Sequence, residues 1–230
     1  MGMLEGYKAA ASISRKQIAS ERPADLDHLA KTQIVVVAGC YDRGQDVFAL
    51  CDLASMVIQP DQVAAVGLDP DQILFVNCPG QIPERGLEKI KSFVESGGML
   101  VTTDWALKHV VEAAFPGYLE YNQRATADDV VRVVFGPVQD AFLEGLLDPN
   151  DDPLWWLEGS SYPIRILRPD DVQVLVSSQE MQSKYGEAPI VVTFEVGLGK
   201  IYHLTSHFYL QRTDTRSKRH TQNAAAYAAE

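Results

Sequence analysis

The sequence predicts an α/β fold: a three-layer α/β/α sandwich with a mainly parallel sheet and an antiparallel β extension in the C-terminal half. Two observations support this prediction. In the first half of the chain, short β-branched runs alternate with amphipathic stretches, which is typical of a parallel sheet with helices on both faces. In the second half, β-rich segments follow one another with turn residues between them, which indicates antiparallel pairing.

The first two predicted strands are short and apolar. Residues 34–38 form a continuous run of four β-branched residues and an alanine that ends at Gly39, as expected for a strand buried on both faces. A helix is expected over about residues 45–53. The second strand, Ile73–Val76, ends at Asn77-Cys78-Pro79-Gly80.

The next helix has the clearest signals in the chain. Pro83 stands near its start, Gly97-Gly98 end it, and apolar residues recur at helical spacing between them. The strand Met99–Thr103 follows, and a helix is then expected over residues 105–114. The alternation of strand and helix is therefore maintained through this part of the chain.

The second half is predicted to be richer in strands. Residues 130–135 are predicted to form one strand and residues 148–156 an acidic loop with Trp155 and Trp156. This pair could form a lid or a subunit contact, or place one ring in the core and the other at the surface. The remaining predicted strands are residues 163–167, residues 172–176, Pro189–Val196 and residues 201–204, the last two joined by a glycine turn.

Composition excludes several classes of partner. The chain has 230 residues and a formal net charge of −11, which disfavours nonspecific binding to nucleic acid or to anionic membranes. No stretch approaches the roughly 20 uninterrupted apolar residues of a membrane span. Its three cysteines, Cys40, Cys51 and Cys78, have neither metal-ligand spacing nor an even number, so we expect a reducing, cytoplasmic setting.

The chain divides into three parts. Residues 1–32 are predicted to form an N-terminal helical arm with a break at Pro23, residues 33–212 the main domain, and residues 213–230 a C-terminal helical tail. The arm could pack on the domain, pair with a partner or be mobile.

Two regions, residues 73–117 and 189–209, resemble the class I glutamine amidotransferase-like superfamily, which has a flavodoxin-like fold. Cys78-Pro79-Gly80 matches the oxyanion loop of that family, and residues 102–106 stand at the position of its G-x-C-x-G nucleophile elbow. His207-Phe208-Tyr209 stands at the position of its terminal H-x-E motif. The resemblance implies that residues 33–212 are a class I glutamine amidotransferase-like domain.

The resemblance also implies that the catalytic machinery is incomplete. Asp104 stands at the position of the nucleophilic cysteine, Thr102 at that of the first elbow glycine, and Tyr209 at that of the glutamate; only His207 is retained. A glutaminase needs a thiolate for its thioester, a histidine to move the proton and a carboxylate to orient the histidine. We therefore expect no glutaminase activity.

Ligands of open α/β sheets bind at the carboxyl ends of the strands, where several chemically active residues are expected to meet. The candidate catalytic residues are Asp104, His207 and Cys78, and the candidate ligand-binding residues are Cys40, Gly80, Trp105 and Tyr209. No cofactor is expected. No metal site is expected either, because His203 and His207 are four apart in a strand-to-loop segment and do not share a helical face.

Each candidate also has a structural interpretation. Asp104 could act as a base or ligand-orienting carboxylate, or it could cap the helix that opens at Trp105. His207 could move a proton with Asp104 or Cys78, or bond to the backbone. Cys78 could be a displaced nucleophile, but for both Cys78 and Cys40 a plain buried thiol is the favoured interpretation. Cys51 is expected in the core and His203 in a structural role.

Three functional hypotheses follow. The first is an amidotransferase-like domain without glutaminase activity that binds a small ligand or a protein. The second is a hydrolase of another type, carbohydrate-related as in trehalose-utilisation-type branches of the superfamily, which uses Cys78 or Asp104 with His207. The third is an assembly role, as a homo-oligomer, through the arm and the loop containing Trp155 and Trp156.

Overall fold

The structure is a computed structural model that describes residues 3–21, 23, 31–136, 140 and 153–207. The predicted tail at residues 213–230 lies outside these residues, as do Tyr209 and the greater part of the predicted acidic loop. Helix α1 (Met3–Glu21) forms most of the described part of the N-terminal arm. The guanidinium of Arg15 on α1 donates to the carbonyl of Cys51 over 2.5 Å, so the arm packs against the main domain.

The described strands and helices have the following bounds. The strands are β1 (Ile34–Val37), β2 (Ser55–Ile58), β3 (Ile73–Val76), β4 (Met99–Thr103), β5 (Leu119–Tyr121), β6 (Asp129–Arg132), β7 (Val134–Phe135), β8 (Leu154–Leu157), β9 (Ile164–Ile166), β10 (Val172–Ser177), β11 (Pro189–Val196) and β12 (Gly199–Leu204). The helices after α1 are α2 (Gly44–Leu50), α3 (Glu84–Glu95), α4 (Glu112–Ala114) and α5 (Gln179–Tyr185), with a 3₁₀ turn at Pro60–Gln62 and a π-helical segment at Leu107–Val111 that runs into α4.

The central sheet confirms the predicted fold class. Its eight strands have the order β2-β1-β3-β4-β12-β11-β10-β7. The pairs from β2 to β12 are parallel, and those from β12 to β7 are antiparallel. Because the chain passes from β1 outward to β2 and then returns to β3 on the other side, the strand order reverses between β1 and β3. This is the point at which ligands of such sheets commonly bind.

Two apolar clusters cover the two faces of the sheet. Helix α3 and the π-helical segment contribute to one cluster through side chains such as Ile90, Phe93 and Val110. On the opposite face, Phe48 from α2 and Met181 from α5 belong to the second cluster. Alternate residues of β1 belong to different clusters, with Val35 in the first and Val36 in the second. This alternation explains why the strand is apolar throughout.

Several elements differ from their sequence-based predictions. The segment predicted as one strand at residues 130–135 is two strands separated by Val133, since β6 pairs with β8 and β7 pairs with β10. Residues 154–157 of the predicted acidic loop form β8. Trp156 is buried there and Trp155 half-buried, so the described structure agrees with one ring in the core and one nearer the surface.

Sequence patterns did not indicate β2, β5 or α5. Strand β2 is an edge strand in which only Ile58 is buried, and β5 has only three residues, so neither has the apolar run of a central strand. Helix α5 is capped by the hydroxyl of Ser178, which accepts from the amide of Met181, and ends at Gly186 with φ 93°. Among the described residues, no helix combines the length and apolar composition needed to cross a membrane.

Candidate functional site

The turn after β4 has the backbone geometry of a nucleophile elbow, with Asp104 at its tip. Asp104 follows Thr103 directly and has φ 41°, in the left-handed region that residues other than glycine rarely adopt. Its amide donates to the carbonyl of Leu204 over 2.8 Å, which ties the turn to the end of β12. The strained backbone that presents a nucleophile in α/β hydrolases is therefore used here to place a carboxylate.

The carboxylate of Asp104 is buried and points across the site. One oxygen, Oδ1, accepts from the amide of Tyr162 over 2.7 Å, and the other, Oδ2, accepts from the hydroxyl of Ser161 over 3.0 Å. Oδ2 also lies 3.1 Å from Nε2 of His207. No side-chain cap is found on the π-helical segment in the part of the chain that the structure describes. Both oxygens of Asp104 thus accept from Ser161 and Tyr162, rather than from the start of the helix as the N-cap alternative expects.

His207 is held by a second carboxylate that sequence comparison with the family did not indicate. Its Nδ1 contacts Oε2 of Glu158, the residue that follows β8, while its Nε2 faces Asp104. The expectation that His207 lacks an orienting acid is thus wrong, although Tyr209 itself lies outside the described residues. The acid comes from another part of the chain. His207 therefore lies between two carboxylates, and we write this arrangement as Glu158–His207–Asp104.

The sequence contains a weak signal for Glu158. It is a carboxylate immediately after the apolar run Leu154–Leu157, at the end of a strand. The acidic residues just before that run favoured the interpretation of the segment as a loop. Only pairing of β8 with β6 brings Glu158 to the site, and such long-range pairing is not visible in a local pattern.

Cys78 lies beside this group but has the properties of a buried thiol. Burial, followed by the negative charge of Asp104, raises the pKa of its thiol far above the ordinary value. Its amide donates to Oγ1 of Thr103 over 3.1 Å, and that hydroxyl donates to Oδ2 of the buried Asp42 over 2.5 Å. Asp42 is therefore a positioning residue that the sequence did not reveal. The sulfur of Cys78, a carboxylate oxygen of Asp104 and a ring nitrogen of His207 all lie within 4.8 Å of one another.

We expect Cys78 to resist alkylation in the folded protein at neutral pH, because the thiolate is the reactive form and the thiol is buried. Cys40 is exposed and should react rapidly. Mass spectrometry after brief iodoacetamide treatment should locate the modification at Cys40 and leave Cys78 unmodified. The Cys40→Ser variant is the matched control and should lose the rapid phase. Rapid labelling of Cys78 in that variant would contradict the expectation.

The predicted ligand-binding residues have different surroundings. Cys40 is exposed, so its interpretation as a buried thiol is wrong; Cys51, expected in the core, is half-buried at the end of α2. Gly80 has φ 70°, and a Cβ there would lie 2.9 Å from the side chains of Ala106 and Val110. It thus provides close packing beneath the π-helical segment.

Trp105 belongs to a row of aromatic rings beside the elbow. Its ring meets that of Tyr41 edge-on at 5.2 Å and stacks on that of Tyr162 at 5.4 Å, and Tyr162 stacks on Tyr121 at 3.8 Å. The indole Nε1 donates to the carbonyl of Ser160 over 2.7 Å, which fixes the ring. Tyr41 is 55% exposed, so the row extends from the surroundings of Asp104 to the protein surface. We refer to these four rings as the aromatic row.

His203 is a structural residue, as predicted, and not part of the site. It is buried in β12, its Nδ1 lies 2.8 Å from Oγ1 of Thr102 on the neighbouring strand, and no partner for its Nε2 is found among the described residues. Complete burial lowers the pKa of His203 to about 3, because the imidazolium would be desolvated.

The lowered pKa of His203 predicts a loss of stability in acid. Between pH 6.5, the ordinary pKa, and about pH 3, the unfolded chain binds a proton at this histidine and the folded chain does not. The free energy of unfolding should therefore fall as the pH falls through this range, by up to about 1.4 kcal/mol per pH unit from this residue. Urea unfolding at several pH values should give a flatter dependence for His203→Asn than for the unaltered protein. Replacement of the half-buried His109 by Asn is the control, and an equal flattening there would contradict the assignment.

Comparison with known proteins identifies similar folds. No family model matches the chain, and no curated protein matches it. A cytoplasmic protein from Salmonella typhimurium LT2 has a similar structure at 12% identity, covering 86% of this chain and 97% of that chain with a TM-score of 0.53. A ThuA-like protein from Bacteroides uniformis ATCC 8492 is similar at 13% identity, covering 86% and 88%, with a TM-score of 0.50.

A GH42 β-galactosidase from G. stearothermophilus is also similar, at 14% identity and a TM-score of 0.48. That match covers 78% of this chain and only 27% of the enzyme, so the chain spans about a quarter of its length. At such identities a likeness concerns the fold alone. The chain has the α/β fold found in a ThuA-like protein.

Proposed function

We propose that the chain is a class I glutamine amidotransferase-like protein that lacks glutaminase activity and binds a small neutral ligand containing a ring, such as a carbohydrate. The observation on which this rests is the aromatic row beside Asp104, at the carboxyl ends of the parallel strands. Tyr41, at the 55% exposed end of the row, offers an aromatic ring with a polar hydroxyl at its edge, which suits a ligand with one apolar face and a polar rim. The net charge of −11 favours a neutral ligand over an anionic one.

The chemistry of the elbow supports the absence of glutaminase activity. Asp104 cannot form a thioester, and its two oxygens already accept from Tyr162 and Ser161. The nearby thiol of Cys78 is buried, and its raised pKa keeps it protonated at neutral pH. Purified protein incubated with glutamine should therefore release no ammonia above a blank. Release that disappears in Cys78→Ser would overturn this part of the proposal.

Ligand binding can be tested by isothermal titration calorimetry with a panel of neutral mono- and disaccharides. We expect at least one to bind, and Trp105→Ala and Tyr41→Ala to weaken that binding by tenfold or more, since each removes a ring of the aromatic row. Leu198→Ala is the control because Leu198 is 84% exposed and lies in the turn before β12. Unchanged affinity in Trp105→Ala, or no binding by any sugar, would count against a carbohydrate ligand.

The arrangement Glu158–His207–Asp104 favours a second candidate, a hydrolase in which Asp104 and His207 act as acid and base. A histidine base oriented by a third group is the usual arrangement in acyl transfer. Turnover of p-nitrophenyl esters or glycosides that is abolished by both Asp104→Asn and Glu158→Gln would support this candidate. Turnover that persists in both variants would exclude these residues as its source.

A further inference from the structure

We propose that Cys78, Asp104 and His207 together bind one divalent cation of the thiophilic class, with Zn²⁺ as the preferred ion. The three side chains come from three different strand ends, those of β3, β4 and β12, and all three are buried. Thiolate, imidazole and carboxylate are the three ligand types that Zn²⁺ takes from proteins. The spacing of these residues along the chain does not indicate a metal site, and only the fold brings them together.

The distances suit a shared ion. Two ligands of a tetrahedral zinc ion, one nitrogen and one oxygen, lie about 3.3 Å apart when both bonds are about 2.0 Å long. Nε2 of His207 and Oδ2 of Asp104 are 3.1 Å apart. The sulfur lies within 4.8 Å of both groups, whereas a tetrahedral ion requires about 3.5 Å, so uptake of the ion would draw the thiol inward by up to about 1.3 Å.

Glu158 has the position of an outer-sphere ligand. Histidines that bind a metal through one ring nitrogen usually donate the other N–H to a carboxylate, which fixes the orientation and tautomer of the ring. In this structure Nδ1 of His207 contacts Glu158 while Nε2 faces Asp104 and Cys78. Ser161 and the amide of Tyr162 similarly hold the carboxylate of Asp104.

The thiol distinguishes a metal ion from a proton at this place. Both nitrogens of His207 face carboxylate oxygens. A neutral imidazole can donate its single N–H to only one of them, so the other contact needs a proton or a metal ion between its two atoms. A metal ion accounts for the position of Cys78 as well, because its sulfur lies within 4.8 Å of the ligand atoms of both other residues and thiolate sulfur is a common ligand of Zn²⁺.

Three protein ligands leave the fourth position of a tetrahedral ion for water or a ligand, as in catalytic rather than structural zinc sites. The inference goes beyond the proposed ligand binding and does not depend on it. Metal binding is measured without any organic ligand, and sugar binding can be repeated in the presence of a chelator. A negative result for metal binding therefore does not contradict sugar binding, and a negative result for sugar binding does not contradict metal binding.

The test uses the 230-residue chain with Cys40 and Cys51 both replaced by Ser, so that Cys78 is its only thiol. After removal of metals with a chelator, the protein is titrated with Co²⁺ and then with Zn²⁺. We expect one Co²⁺ per chain, an intense thiolate-to-cobalt band in the near-ultraviolet spectrum, and loss of that band on addition of one equivalent of Zn²⁺. Zn²⁺ should also protect Cys78 from alkylation in mild denaturant.

Variants then assign the ligands. Cys78→Ser should abolish the thiolate band, His207→Gln should weaken Zn²⁺ binding at least 100-fold, and Glu158→Gln should weaken it by about 10- to 100-fold. His109→Gln is the control and should bind like the unaltered protein. Binding of no metal by the protein with Cys78 as its only thiol overturns the proposal, since this measurement does not depend on folding of a ligand variant. Metal binding without a thiolate band overturns Cys78 as a ligand.

Discussion

Replacement of Asp104 by Ala is expected to lower the free energy of unfolding by about 3–5 kcal/mol. The change removes the acceptor of the Ser161 hydroxyl and of the Tyr162 amide, and it removes the carboxylate beside His207. Each buried donor left without an acceptor costs about 1–3 kcal/mol. Alanine at φ 41° adds about 1 kcal/mol, because a left-handed backbone is less costly for aspartate than for residues without a short polar side chain.

The control is Asp104→Asn, which has nearly the same shape and tolerates the same backbone conformation. Its amide oxygen can still accept from Tyr162, so we expect a smaller loss of about 1–2 kcal/mol from the altered contacts with Ser161 and His207. Urea unfolding followed by far-ultraviolet circular dichroism measures both values. Equal stability of the alanine variant and the unaltered protein would mean that the carboxylate does not hold the elbow to the loop at Ser161 and Tyr162.

Local patterns predicted the parallel half of the fold well because burial on two faces leaves a strong signal. Strands β3 and β4 have their predicted bounds, and α3 begins and ends within two residues of its proline and glycine signals. The missed elements lack such signals. Edge strand β2 exposes Met56 and Val57, and the division of residues 130–135 between two sheets depends on partners β8 and β10, which lie elsewhere in the chain.

The residues of the candidate site likewise include some that the sequence indicated and some that it did not. Sequence comparison placed Asp104, Cys78 and His207 at strand ends, and the parallel order of β3, β4 and β12 brings them together. Glu158 and Ser161 could not be predicted, because they reach the site from a segment whose pairing is antiparallel and distant in sequence. The tyrosine at position 209 shows only that this one position carries no acid. The acid beside Nδ1 of His207 is Glu158, which comes from a different segment of the chain.

Replacement of Gly39 by Ala is expected to destabilise the protein by about 3 kcal/mol or more and to disturb the position of Cys78. Gly39 follows β1 at the point where the strand order reverses. A Cβ there would lie 2.1 Å from the carbonyl oxygen of Cys78 and 2.7 Å from Cβ of Asn77, so the ends of β1 and β3 would have to separate. Overpacking against side chains typically costs about 1–3 kcal/mol, and a clash with backbone is at the upper end because it cannot be relieved by rotation of a side chain.

Gly67→Ala provides the matched control for this effect. No described atom lies within 4 Å of a Cβ placed at Gly67, so the change should alter the free energy of unfolding by less than about 0.5 kcal/mol. The carbonyl of Cys78 also accepts from the amide of Tyr41. In Gly39→Ala the added methyl group should displace this carbonyl and loosen the end of β3. Iodoacetamide should then label Cys78 faster than in the unaltered protein. Equal stability and equal labelling in the two glycine variants would mean that the strand ends can separate without cost. In that case, close contact of backbone at the reversal point would not be what holds Cys78 beside Asp104 and His207.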